Sequence, residues 1–201
     1  VAMVSLLREH LAPQGDPVFV ALAPKTRADQ PGLLYEAHDY AGLGAAADGV
    51  LVMTYEWGYT FGPPLPVSPL PNVRAVLDYA VSEMPPEKIL MGLSNYGYDW
   101  PLPYQRGVTE AKSISTVEAY ALAVRYGAEI QYDESAAAPG FTYTDEAGTV
   151  HQVWFEDCRS WAARLRLIAE YGLMGAGVWN LMRRNPQGWN TLDALYEVAD
   201  L

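Results

Sequence analysis

The stretch "VMTYEWGY", residues 52–59, sets a phenol and a carboxylate, Tyr55 and Glu56, side by side where an apolar run ends. A hydroxyl donor beside an ionisable oxygen can orient a polar substrate or handle a proton. Two other stretches are built alike. "SNYGYDW" (94–100) follows the apolar run "ILMGL" and offers Asn95 and Tyr96, with Tyr98 and Trp100 close behind. "VWNLMRR" (178–184) follows "MGAG" and offers Trp179, Asn180 and Arg183. Aromatic faces beside carboxylates and amides suit sugars, because ring C–H groups stack on the aromatic while hydroxyls take hydrogen bonds. A carbohydrate is therefore the ligand class these residues predict.

Other chemistries find less support. One cysteine, Cys158, forms no internal disulfide, and with the scattered His10, His38 and His151 it makes no zinc site. No G-x-G-x-x-G or G-x-x-x-x-G-K-[ST] follows any apolar run, so no metal and no nucleotide cofactor is expected. The formal charge of -11 repels nucleic acid and anionic membranes. No apolar run is long enough for a membrane span, so neither nucleic acid nor membrane is an expected partner.

Strands must hold these tips. "PVFVALAP" (17–24) is a continuous apolar run between prolines, as in a strand buried on both faces. A short helical stretch over 39–48 leads to a second strand, 49–55. A Pro- and Gly-rich loop, 56–69, then precedes a helix over 72–84, where Val73, Val76, Leu77, Ala80 and Val81 share a face. The third strand is Ile89 to Leu93. Residues 101–153 break the rhythm. They hold a helix opened by the capping-box pattern Ser115 to Glu118 and a hairpin turning at 146–148, and read as a small α+β insertion. A helix over 157–172, a fourth strand in "MGAGVWNL" and a closing helix over 191–201 complete the order. Apolar residues at helical spacing from Met3 to Leu11 make the chain open in mid-helix, as if cut.

Strands alternating with helices imply parallel pairing and right-handed crossovers. The expected fold class is α/β, with four βα units forming half of a (β/α)8 barrel; a doubly wound open sheet is the competitor, disfavoured by the missing glycine motifs. Barrel enzymes place their chemistry at the C-terminal strand ends, which are the tips named above.

"VMTYEWG", "ILMGLSNYGYDW", "VWFEDCRS" and "GLMGAGVWNLMRRNPQGW" together resemble glycoside hydrolase family 18, in particular the spore-cortex and cell-wall N-acetylglucosaminidase branch that is often linked to LysM repeats. The resemblance runs from about residue 17 to the end and covers the C-terminal half of that family's TIM barrel, so 1–201 is expected to be a partial barrel with 101–153 inserted in it. The family's acid motif, D-x-x-D-x-D-x-E on the fourth strand, would lie ahead of "VAMVSLLREH"; no segment here matches it, and the isolated chain is expected to be inactive.

The resemblance implies retaining, substrate-assisted hydrolysis, in which the sugar's own N-acetyl oxygen attacks the anomeric carbon and the enzyme supplies one acid. It implies that Tyr55 donates to the acetamide oxygen and that Glu56, in place of the commoner Asp, contacts the same sugar. Met53 would line the floor, Trp179 would lie beneath the cleaved sugar, and Asn95, Tyr96 and Glu156 would contact substrate. Each has a plainer alternative: a rim tyrosine tied to backbone for Tyr55, a solvated strand end for Glu56, core packing for Trp179, helix N-terminal acids for Glu156 and Asp157. Trp57, Tyr59, Tyr98 and Trp100 either stack on flanking sugars or plug loops. The implied partner is an N-acetylglucosamine-containing glycan of peptidoglycan or chitin type, met in a cell envelope, a spore or outside the cell. A lectin-like relative that keeps the tyrosine and tryptophan but has lost the acid is the other reading. Half-barrel edges would also leave strands open to self-association.

Overall fold

The computed structural model describes residues 1–199. They form two compact units: residues 1–54, 72–93 and 166–177, and residues 55–71, 94–165 and the chain from 178 onward. In chain order the elements are α1 (Ala2–Leu11), β1 (Phe19–Leu22), α2 (Tyr40–Ala46), β2 (Gly49–Val52), α3 (Leu70–Glu83), β3 (Ile89–Ser94), β4 (Tyr96–Pro101), β5 (Lys112–Ser115), α4 (Thr116–Tyr126), β6 (Gln131–Asp133), β7 (Ala138–Thr144), β8 (Val150–Trp154), α5 (Cys158–Tyr171), β9 (Gly175–Trp179) and α6 (Pro186–Leu195). The α/β class expected from the alternation is what forms.

The first unit is built on a sheet of order β1-β2-β3-β9, with β1–β2 and β2–β3 parallel. Its strands are short apolar runs. Leu22, Val50, Val52, Ile89 and Met91 have no exposed surface, as strands covered on both faces require. Val73, Val76, Leu77 and Ala80 of α3, spaced three and four apart, are equally buried. Each Val or Leu so placed stabilises the fold by about 1.5–3 kcal/mol. Lys88 closes the C-terminal end of α2, its Nζ donating to the carbonyls of Gly44 and Ala47 at 2.9 and 2.8 Å.

The second unit carries an antiparallel sheet of order β5-β4-β8-β7-β6. Alternation sorts its residues onto two faces. Phe141, Tyr143, Val153 and Phe155 join Ile114, Ala119 and Ala123 in one buried cluster that takes in α4. Between them along the strands, Thr142 and Thr144 are exposed and Gln152 and Trp154 half-buried. The helix α4 starts where the pattern Ser115–Glu118 predicts, with both reciprocal cap bonds made, and stops at Gly127, whose φ of +62° suits glycine. The hairpin turns as expected at 146–148, Asp145 Oδ1 accepting from the Ala147 and Thr149 amides.

Boundaries depart from expectation in three places. The first strand covers 19–22 rather than 17–24, because prolines at 17 and 24 cannot continue the ladder. Residues 96–101, expected as the tip after the third strand, form β4 of the second sheet. The last helix begins at Pro186, five residues early, because the Asn185 side chain caps it by accepting from Gly188 N at 3.1 Å. It ends at Leu195, and the expected helix's last residues, 200 and 201, lie outside those described.

Candidate active site

The second unit brings most of the candidate residues together. Glu56 follows directly on Tyr55 and has φ +68°, a left-handed conformation that a non-glycine residue holds only at a cost of about 1–3 kcal/mol. Its Oε1 accepts from the Tyr98 hydroxyl at 3.0 Å and the Tyr96 hydroxyl at 3.3 Å. Those tyrosines stand two apart on β4, so strand alternation aims both at one carboxylate, and their rings meet edge to face at 5.7 Å. Both are buried, whereas Glu56 is exposed. No described hydrogen bond falls on Oε2.

Tyr55 is 9 % exposed, and its hydroxyl has no hydrogen bond among the described residues. The backbone tie considered for it is therefore not made. Burial first, and then the Glu56 carboxylate, push its phenol upward. The same causes in the same order raise Tyr96 and Tyr98. All three tyrosines thus carry their protons at neutral pH, Tyr96 and Tyr98 donating theirs to Glu56.

Trp179 ends β9 with 55 % of its surface exposed. It is held through its neighbours. The Asn95 amide Nδ2 donates to the carbonyls of Asn180 at 2.7 Å and Arg183 at 3.1 Å, while Oδ1 accepts from Asn180 N at 3.0 Å. The Asn95 backbone N–H donates to the Trp179 carbonyl at 3.3 Å. Asn95 is wholly buried, and its amide bonds to the turn after Trp179.

Glu156 also faces the protein. It has no exposed surface and lies 3.2 Å from Arg164 Nη1, itself buried, with the Ser94 hydroxyl at 3.4 Å from its other oxygen. Arg164 directs its own donors to the carbonyls of Ala137, Ser160 and Ser68. Glu156 Oε2 is accordingly left without a hydrogen bond. Burial outweighs the nearby guanidinium, and the Glu156 carboxyl is pushed up to about 7. Asp157 takes the plainer role: its Oδ1 accepts from Ser160 N at 2.9 Å and caps α5. Met53 belongs to the first unit, half-buried, its N–H bonded to the Leu22 carbonyl at 2.9 Å.

Sequence reasoning left Tyr98 undecided between stacking and plugging, yet it makes the shorter of the two bonds to Glu56. The signal was present in the two-residue period of Tyr96, Tyr98 and Trp100, which marks a strand. Arg164 was missed, since an arginine in an amphipathic helix reads as a surface residue.

Against known proteins, the family model described as "Glycosyl hydrolases family 18" matches residues 1–183. The cortical fragment-lytic enzyme of Bacillus subtilis (strain 168) is 49 % identical over 186 residues, 92 % of this chain and 43 % of that protein. The crystal structure of the Bacillus megaterium QM B1551 spore cortex-lytic enzyme SleL superposes with a TM-score of 0.93 at 47 % identity, covering 98 % of this chain and 45 % of that one. A chitinase from Chromobacterium violaceum ATCC 12472 gives 0.87 at 30 % identity, over 94 % of this chain and 58 % of that one. The chain spans less than half the length of the cortical fragment-lytic relative it matches. With a family model spanning most of its length and this tyrosine-ringed carboxylate in place, the chain belongs to glycosyl hydrolase family 18.

Proposed function

We propose that this chain forms the sugar-orienting part of a retaining, substrate-assisted glycosidase that cleaves N-acetylglucosamine-containing glycans. In this reading its four βα units are the C-terminal half of a (β/α)8 barrel, interrupted by the α+β insertion. The observation that carries it is the cluster of Tyr55, Tyr96 and Tyr98 around Glu56, in which the Tyr55 hydroxyl has no hydrogen bond among the described residues. A protonated phenol without a partner can donate to an acetamide oxygen and hold it against the anomeric carbon. As that oxygen bonds to the anomeric carbon, the glycosidic oxygen leaves with the proton of an acid, and water later opens the cyclic intermediate. Glu56, its Oε1 already taken, presents Oε2 to the same sugar, and the exposed Trp179 supplies the apolar floor.

The 201 residues contain no D-x-x-D-x-D-x-E, so the acid in this reading lies outside them. The names of the similar proteins, cortical fragment-lytic enzyme and spore cortex-lytic enzyme, support a peptidoglycan-type glycan. The test is calorimetric titration with N-acetylglucosamine oligomers against glucose oligomers of equal length. Binding that requires the N-acetyl group, and that Tyr55→Phe weakens, is the expected result; equal binding of both series refutes the assignment of Tyr55. If the acid residue in the complete protein is replaced by Gln or Leu, the same site serves a carbohydrate-binding relative that does not hydrolyse.

A further inference from the structure

Residues 23–39 join β1 to α2, a longer connection than most. From Thr26 to Asp39 no residue is buried, and Leu33 and Leu34 at its tip are 99 % and 71 % exposed. A segment with so little packing owes its order to hydrogen bonds. Those from the Tyr35 and Glu36 amides to the Gly32 carbonyl hold the loop only to itself.

Three side chains tie it to the end of β1. The buried Tyr40 hydroxyl donates to the Ala23 carbonyl at 2.5 Å and accepts from the Lys25 amide at 3.1 Å. The buried Lys25 Nζ donates to the carbonyls of Ala28 and His38 at 2.8 and 3.0 Å. The Ala23 amide donates to His38 Nδ1 at 2.8 Å. This last bond fixes the state of the ring. Its donor is a backbone N–H, so Nδ1 carries the lone pair and the imidazole is neutral, with its proton on Nε2. A proton arriving at Nδ1 would leave the buried Ala23 N–H without its acceptor and set a second cation beside Lys25.

Burial first, and then the Lys25 ammonium, hold the His38 imidazole below its ordinary 6.5. The other charged groups of the loop are engaged elsewhere. Glu36 Oε1 accepts from Gly32 N at 3.0 Å, Asp39 Oδ1 from Gly42 N at 2.9 Å, and Arg27 pairs with Asp29 at 3.2 Å. On α3, Tyr79 packs against Tyr40 at 5.1 Å, and its phenol is pushed up by burial and then by the charges of Glu83, Asp39 and Asp29. Burial pushes the Tyr40 phenol up as well, so neither tyrosine changes charge in acid.

We propose that His38 is a pH-sensitive latch: its neutral imidazole fastens the loop between β1 and α2 to the end of β1, and its protonation lets the loop go. Because folding lowers the imidazole's proton affinity, the latch's contribution to stability is whole above pH 6.5 and is lost as the pH falls through the lower folded value. The strands β1 and β2 are parallel and paired from Phe19 to Leu22, so the released loop lies at the end of the sheet from which β2 leads on to Tyr55.

The experiment follows amide hydrogen exchange and the His38 ring by NMR between about pH 7.5 and 5, with exchange corrected for its intrinsic pH dependence. In the wild type, protection of the Ala23 amide falls severalfold, with a midpoint below 6.5 that it shares with the His38 ring. The Met53 amide, bonded to the Leu22 carbonyl within the sheet, keeps its protection. In His38→Asn, whose Oδ1 accepts from the Ala23 amide but takes up no proton, Ala23 protection is flat with pH. Ala23 protection that is flat in the wild type, or that falls alike in both proteins, overturns the latch. The shared midpoint is read on the wild type alone, so it decides the matter should His38→Asn fail to fold; two separate midpoints overturn the latch as well.

Discussion

The buried pair of Glu156 and Arg164 makes a quantitative prediction. A carboxyl raised from 4.5 to about 7 by folding favours the folded state in its protonated form. Its contribution to stability is complete below pH 4.5 and is lost as the pH rises through about 7. That interval is roughly 2.5 pH units, and at about 1.4 kcal/mol per unit the loss comes to ~3 kcal/mol. Glu156→Gln keeps the shape and the hydrogen-bonding capacity but cannot ionise. Arg164 tolerates the change, because its donors already go to the carbonyls of Ala137, Ser160 and Ser68. Urea unfolding of both proteins at several pH values between about 4 and 8 gives the difference in stability, from which all other titrating groups cancel. The variant gains on the wild type by ~3 kcal/mol from the acid end to the alkaline end. A difference that is flat with pH refutes the reasoning, and one of opposite slope shows that Arg164 keeps Glu156 charged throughout.

Tyr55→Phe, in the active enzyme, lowers kcat by about a hundredfold or more with a small change in KM, since the acetamide contact tightens at the transition state; an equal loss in both parameters marks simple substrate holding. Trp179→Ala weakens sugar binding by about 1–3 kcal/mol with little change in melting temperature, because more than half of the residue's surface is exposed. Asn95→Ala removes three partly buried hydrogen bonds, destabilises by about 2–4 kcal/mol and increases the mobility of Trp179, which fluorescence anisotropy detects; an unchanged anisotropy refutes the positioning role. Tyr98→Phe removes the shorter bond to Glu56 and weakens oligomer binding about fivefold to tenfold, whereas a variant that binds as tightly as the wild type shows that the bond does not orient Glu56.

The apolar runs made the first sheet legible. Three consecutive strands of Val, Ile, Leu and Met separated by helical segments admit little besides parallel pairing. The placing of Tyr55, Glu56 and Trp179 at or just beyond strand ends was legible too, because strand ends are where polar and aromatic residues have a reason to interrupt an apolar run. The second sheet was harder to foresee. In β4 the residues of both faces are buried, so Tyr96 to Trp100 shows no contrast between wet and dry positions. What Asn95 and Glu156 do was hidden for another reason. An amide or a carboxylate at a strand end looks the same in sequence whether it faces a ligand or the protein, and only the positions of the Asn180 and Arg183 carbonyls and of Arg164 decide between them.

The two-faced sheet separates the residues that hold the protein together from those that meet solvent. Phe141, Tyr143 and Val153 maintain the core from one side, while Thr142, Thr144 and Gln152 alternate with them on the other. Mutations at the second set can therefore accumulate at little thermodynamic expense, so that this face can diverge in sequence while the scaffold stays put.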